Sequence, residues 1–265
     1  MQARHVFIPI TIALIALQAS CRSITSVDEE DSILHTSRTP FPSTIPGVNL
    51  NGAHIVVKDD SKPKIIRSQA PHTDKDYLEL TEFGVTDVLI FKKENGHEVQ
   101  DELKEFKDHG LPNSRLTHIP MRYRDFDSFE EPCRYTVNAL KTIREARNED
   151  GRMILIHCTL GEDRTGYLAG LIRLIEGSDN IRDIFQTEMC NNGYSSGNHN
   201  KPKNITTKID EDLTPVFTKM ALLIKQGNLN WNHLDAESLC TRDPFDGNLD
   251  DKTRKTFDPK SYRCP

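Results

Sequence analysis

A chain of 265 residues with 36% apolar and 28% charged positions can bury one good core, and it reads as a single α/β domain with tails rather than two large domains. Its formal net charge of −6 argues against general affinity for nucleic acid or anionic membranes, which needs a basic face. Any positive field that serves function must therefore be local.

In chain order, Arg4 and His5 precede an apolar run at 6–17, too short to cross a bilayer as a helix, so residues 1–20 read as a signal peptide. The LQASC that follows resembles a bacterial lipoprotein signal, with Cys21 as the residue cut and lipidated, although Gln18 stands where that signal normally has Leu. Ordinary cleavage after Ala19 is the alternative, and a cytosolic chain with an apolar N-terminus the third. The expectation is an exported protein in the periplasm, or attached to the outer membrane, of a bacterium, touching membrane only through Cys21. Residues 21–47 are rich in Ser, Thr, Pro and acids without apolar periodicity and read as a disordered tether.

The folded domain is expected over 48–228. Short strands are predicted at 54–57 and 64–67, and a helix at 73–83 with Gly84 as its stop. The near-continuous apolar run 85–91 suits a central parallel strand covered on both faces. A helix at 101–109 stops at Gly110, a strand at 116–119 leads to an acidic loop, and a helix at 131–147 leads to a strand at 153–156. Helices follow at 165–175, 180–189 and 212–226, and 229–265 is a loop-rich tail. Strands alternating with helices give an α/β fold with a central, mostly parallel sheet, its active residues at the carboxyl ends of the strands.

The most informative stretch is HCTLGEDRTG, from His157 to Gly166, between a buried strand and a helix. A turn there curls its N–H groups inward at a helix start, a nest for an oxyanion. The same field suits a thiolate, the nucleophilic form of Cys158. Arg164 closes the turn with a planar fork that matches two phosphate oxygens, and the intervening Thr159, Leu160, Gly161, Glu162 and Asp163 are taken as phosphate-binding. Thr165 can donate its hydroxyl to the sulfur as it leaves. A metal site is disfavoured, because His157 and Cys158 lack a CxxC or HxxxH companion, and no GxxxxGK[ST] nucleotide loop occurs. No cofactor is expected.

This loop resembles the signature of the cysteine-dependent protein tyrosine and dual-specificity phosphatases, and its GxDRTG ending resembles the bacterial dual-specificity members. The resemblance runs over about 65–194 through IIRSQAP, VTDVLIF, THIPM and YRDFDSFEEP. It implies the phosphatase fold, a phosphocysteine intermediate, and a general acid about thirty residues before the cysteine. Asp125 lies 33 before Cys158 and Asp127 lies 31 before it. Asp125 is favoured because YRDF resembles the family's acid loop. Asp127 is second, and Asp163 third because some bacterial members are thought to use that position.

Lys92, Lys93, Arg122 and Arg124 are expected to rim the pocket, which on an acidic chain points to a substrate with several phosphates, such as inositol polyphosphates or phosphoinositides. A protein tyrosine or dual-specificity phosphatase is the rival enzyme reading. A rhodanese-like sulfurtransferase and a non-catalytic phosphate-binding pseudophosphatase are the readings from other classes. Setting aside Cys21 and Cys158 leaves Cys133, Cys190, Cys240 and Cys264. Four cysteines permit three pairings, and Cys240 with Cys264 is the first choice because both sit in the tail with little core to hold it. Cys133 and Cys190 are either a second bridge or buried free thiols.

Overall fold

Five strands form one sheet in the computed structural model, which describes residues 41–59, 62–177 and 180–265. The strands are β1 (His54–Asp59), β2 (Lys62–Ser68), β3 (Asp87–Phe91), β4 (Leu116–Ile119) and β5 (Ile154–His157), in the order β1-β2-β5-β3-β4. Only β1 runs antiparallel to its neighbour; the β2–β5, β5–β3 and β3–β4 pairs are parallel. The DVLIF run of β3 is buried at every position, as a strand covered on both faces must be. Its alternation splits the core: Val88 and Ile90 face one cluster, Leu89 and Phe91 the other.

The smaller cluster packs against α1 (Asp74–Phe83) and α2 (Glu98–Asp108) through Tyr77, Leu80, Val99 and Phe106. Thr73 starts α1 with a reciprocal cap, its hydroxyl accepting from the Asp76 N–H while the Asp76 carboxylate accepts from the Thr73 N–H. Gly84, at a φ of 106°, stops the helix with the left-handed turn expected of it. The larger cluster packs against α3 (Glu130–Asn148) and α4 (Asp163–Ile175), the latter buried from Asp163 to Ile172.

Next come α5 (Ile181–Ile184), which continues into a π-turn at Phe185–Met189, and α6 (Lys203–Lys208). A second π-turn, Ile209–Leu213, joins α6 to α7 (Thr214–Lys225) in one helical run. The run therefore starts well before the expected 212. Its first half is polar except for Ile205, Ile209 and Leu213, all buried, and their four-residue spacing is the helical signal.

The chain is ordered at both ends of the expected domain. Residues 41–47, placed in the tether by composition, fold against the turn before β1: Ile45 is 3% exposed, the Thr44 N–H donates to Ala53 O and the Gly52 N–H to Phe41 O. The tail carries α8 (Ala236–Leu239) and α9 (Asp251–Thr256), and Leu234, Phe257 and Tyr262 join the core around Phe185 and Phe217. The disulfides are Cys133–Cys240 and Cys190–Cys264, which corrects the expected Cys240–Cys264 pair. A bridge inside the tail would not tie it to anything. Bridges to the start of α3 and to the turn after α5 fix it to the core at two points. Among the described residues, no helix is long and apolar enough to cross a membrane.

Candidate active site

The cysteine loop leaves the carboxyl end of β5, in the middle of the sheet, and ends where α4 begins at Asp163, two residues before the expected Thr165. Cys158 is a free thiol, 2% exposed. The loop's shape is held by three features. Gly161 sits at a φ of +73°, and a Cβ there would meet Ser68 O at 2.3 Å, so only glycine fits. The Ala70 N–H donates to Thr159 O at 3.1 Å. Beneath the loop, the buried Arg67 guanidinium donates to Gly161 O through Nη2, while Nη1 donates to Glu188 O at 2.9 Å and Glu188 Oε1 at 2.8 Å.

Burial pushes the Glu188 carboxyl up, but hydrogen bonding from His54 and the Arg67 charge outweigh it and hold the group below its ordinary value. Arg67 belongs to the IIRSQAP motif, yet its role was not visible in the sequence. A cation at the end of an apolar strand is the signal that could have found it.

Arg164 is buried, with Nη1 donating to Met121 O at 3.4 Å, Nη2 to Thr159 Oγ1 at 3.3 Å, and its guanidinium 5.6 Å from the Tyr123 ring centroid. Thr165 Oγ1 is buried on the first turn of α4 and has no hydrogen-bond partner in the protein. A buried hydroxyl without a partner has a proton to donate, as the expected role toward the departing sulfur requires.

The expected phosphate contacts divide. The side chains of Glu162 and Asp163 are engaged inside the protein, so any contact of these two residues with phosphate is through their backbone N–H groups. Lys201, fully buried, donates to both Asp163 carboxylate oxygens at 2.7 Å and lies 3.1 Å from Glu162 Oε2; Asn198 Nδ2 donates to both Glu162 oxygens at 3.1 Å. Asp163 also accepts from the Ser195 N–H at 2.8 Å. A carboxylate saturated by an ammonium and an amide is unsuited to protonating a leaving group, which removes Asp163 from the candidate acids. Burial pushes the Glu162 carboxyl up, with the Lys201 charge opposing it. Lys201 has no signal in the sequence, because its partners lie 38 residues away.

Lys92 does not rim the pocket either. Its buried Nζ bonds Glu98 Oε1 at 2.5 Å and lies 3.2 Å from Glu102 Oε2. Glu102 in turn places Oε1 2.8 Å from Nε2 of the buried His157, under the start of the loop. Burial raises the Glu102 carboxyl, but His157 and Lys92 together hold it below its ordinary value. Side chains alternate along an extended segment, so Lys92 and Lys93 point oppositely, and only Lys93 reaches the mouth.

The other three rim candidates come together. Lys93, Arg122, Arg124 and Asp125 line one cleft of about 240 Å³ together with Asn95, Tyr123 and Arg164. Arg122 also pairs with Glu131 at 2.5 Å, and Arg124 Nε lies 3.5 Å from Asp125 Oδ2. Asp127 is exposed and is not part of the cleft wall. Of the three candidate acids, Asp125 alone lines the cleft that Arg164 closes.

A sheet with a cysteine loop between its central strand and a buried helix, closed by an arginine, defines a cysteine-dependent phosphatase. Residues 61–211, more than half of the chain, match the family model described as the tyrosine phosphatase family, and the chain belongs to that family. No curated protein matches it. Similar solved structures include the core catalytic domain of the PP-IP phosphatase SIW14 from S. cerevisiae in complex with citrate, at 24% identity over 56% of this chain and 75% of that one with a TM-score of 0.38. P. aeruginosa TpbA is 17% identical over 68% and 95% of the two chains, with a TM-score of 0.43. Tk-PTP in its active form is 20% identical over 60% and 98%, with a TM-score of 0.40.

Proposed function

We propose that the chain hydrolyses phosphomonoesters through a phosphocysteine at Cys158 and favours small molecules carrying several phosphates, such as inositol polyphosphates or phosphoinositides. Cys158 Sγ attacks phosphorus in line with the ester oxygen while the loop N–H groups and the Arg164 fork hold the non-bridging oxygens. As the P–O bond breaks, Asp125 gives its proton to the leaving oxygen. The resulting carboxylate then takes a proton from the water that attacks the phosphocysteine, and Thr165 donates to the departing sulfur.

The cleft carries the substrate reading: Lys93, Arg122 and Arg124 stand beside Arg164 on a chain whose net charge is −6. An extra phosphate at about 4 Å from one such cation gains roughly 4 kcal/mol at the effective dielectric of a protein surface, before desolvation and salt reduce it. Tyr123, an aromatic wall beside Arg164, favours phosphotyrosine in proteins as the second reading. Retention of both Cys158 and Arg164 opposes a pseudophosphatase. The two disulfides support export to an oxidising compartment. The proposed signal and the lipid anchor at Cys21 lie outside the described residues.

Phosphate release from inositol hexakisphosphate, an inositol monophosphate, phosphoinositides and a phosphotyrosine peptide tests the assignment. The hexakisphosphate is expected to exceed the monophosphate by at least about tenfold in kcat/KM, with the advantage shrinking as salt rises. Equal efficiencies without salt dependence would overturn the polyphosphate reading, and a preference for the peptide would install the second one.

A further inference from the structure

Outside glycine, two described residues hold a left-handed backbone: Asp125 at a φ of 57° and Ser195 at 47°. L residues avoid that region, and such a conformation persists only where the surroundings impose it. Both residues are held by the same π-turn, Ile209–Leu213. Ser195 Oγ donates to Asp210 Oδ1 at 2.6 Å, and the Asp125 N–H donates to Asp212 Oδ2 at 2.9 Å, across 87 residues of chain. The π-turn widens one turn of the helix over 203–225, where Ile209 and Leu213 are buried in the core while Asp210 and Asp212 reach two different loops. Single widened turns of this kind are frequent at functional sites.

We infer that Asp212 is a positioning residue that latches the acid loop, fixing the left-handed turn at Asp125 that sets this residue in the cleft beside Arg164. The inference rests on the reading of Asp125 as the general acid. Asp125 is 64% exposed at its side chain, so no burial holds it in place. A proton donor must stand within hydrogen-bond reach of the leaving oxygen, and a displacement of about 1 Å can cost on the order of a hundredfold in rate. A hydrogen bond from the Asp125 N–H to the Asp212 side-chain oxygen fixes the loop and leaves the Asp125 carboxyl available for its proton transfers.

A latch of this kind acts only on the step that needs the acid, which sets the test. Phenyl phosphate, whose leaving group needs a proton, and p-nitrophenyl phosphate, whose leaving group departs well unaided, are compared in wild type, Asp212→Ala, Asp212→Asn and Asp125→Asn. Asp212→Ala is expected to lower kcat about tenfold on phenyl phosphate and less than about twofold on p-nitrophenyl phosphate, with KM unchanged on both. Asp212→Asn keeps an oxygen acceptor and is expected to stay near wild type. Asp212→Ser, too short to reach the amide, replaces the alanine variant if that one is unstable. Equal losses on the two substrates, or no loss, would overturn the latch. Failure of Asp212→Asn to the same degree as Asp212→Ala would also overturn it, making Asp212 a proton donor. The Asp125→Asn arm separates the two claims: without a leaving-group split there, the acid assignment fails and the latch with it, whereas a split there but not in Asp212→Ala removes the latch alone.

Discussion

At the residue scale, Gly161 carries the tightest constraint in the loop. A methyl group there would meet Ser68 O at 2.3 Å and Gln69 N at 2.5 Å, both backbone atoms that cannot rotate away, and would have to tolerate a φ of +73°. Gly161→Ala is therefore expected to cost about 3 kcal/mol or more and to shift the carbonyl that Arg67 holds. Urea unfolding would show the loss. Activity should fall further than stability, because the loop N–H groups must converge on one phosphate. A variant with wild-type stability and turnover would mean that the loop does not approach β2 this closely.

At the element scale, the segment from Gly193 to Lys201 backs the loop as a wedge. Lys201 places one buried ammonium against Asp163, Glu162 and Gly193 O, and Asn198 completes Glu162. Lys201→Met would leave two buried carboxylates without their cation, with an expected cost of about 3–5 kcal/mol. Replacing Lys201 and Asp163 together by Met and Asn should recover part of that loss, because removing both charges leaves less to compensate. A loss below about 1 kcal/mol in the single variant would show that the wedge does not hold the loop.

The strands, α1, and the Cys158 and Arg164 loop were legible in the sequence because their signals are local: short apolar runs bounded by turn residues, a continuous run in DVLIF, a stop at Gly84. Arg122, Arg124 and Asp125 were legible for the same reason, lying close together in one loop. Lys92 was misplaced because its partners Glu98 and Glu102 come from another element, and the ties of Glu162 and Asp163 to Lys201 were invisible for the same reason. Nothing local tells a pocket cation from one buried in an ion pair.

At the scale of the whole molecule, the tail is part of the core rather than an appendage. Cys133–Cys240 and Cys190–Cys264 close segments of 107 and 74 residues, each worth about 4–5 kcal/mol if restriction of the unfolded chain is the whole effect. Reduction, or Cys190→Ser with Cys264→Ser, should lower the thermal midpoint and expose residues 229–265 to proteolysis. An unchanged midpoint under reductant would mean that Phe257 and Tyr262 alone hold the tail. The pairing also leaves Cys158 as a free thiol, available for covalent chemistry in a molecule whose four partnered cysteines are committed.

That chemistry is the centre of the account, and the most direct measurement is acid quenching during turnover followed by peptide mapping. A phosphoryl group on the peptide bearing Cys158 is expected in the wild type. In Cys158→Ser it should be absent, with turnover reduced at least about 10³-fold while the fold and phosphate binding persist. Turnover near wild type in Cys158→Ser, or a phosphoryl group trapped on another residue, would contradict it.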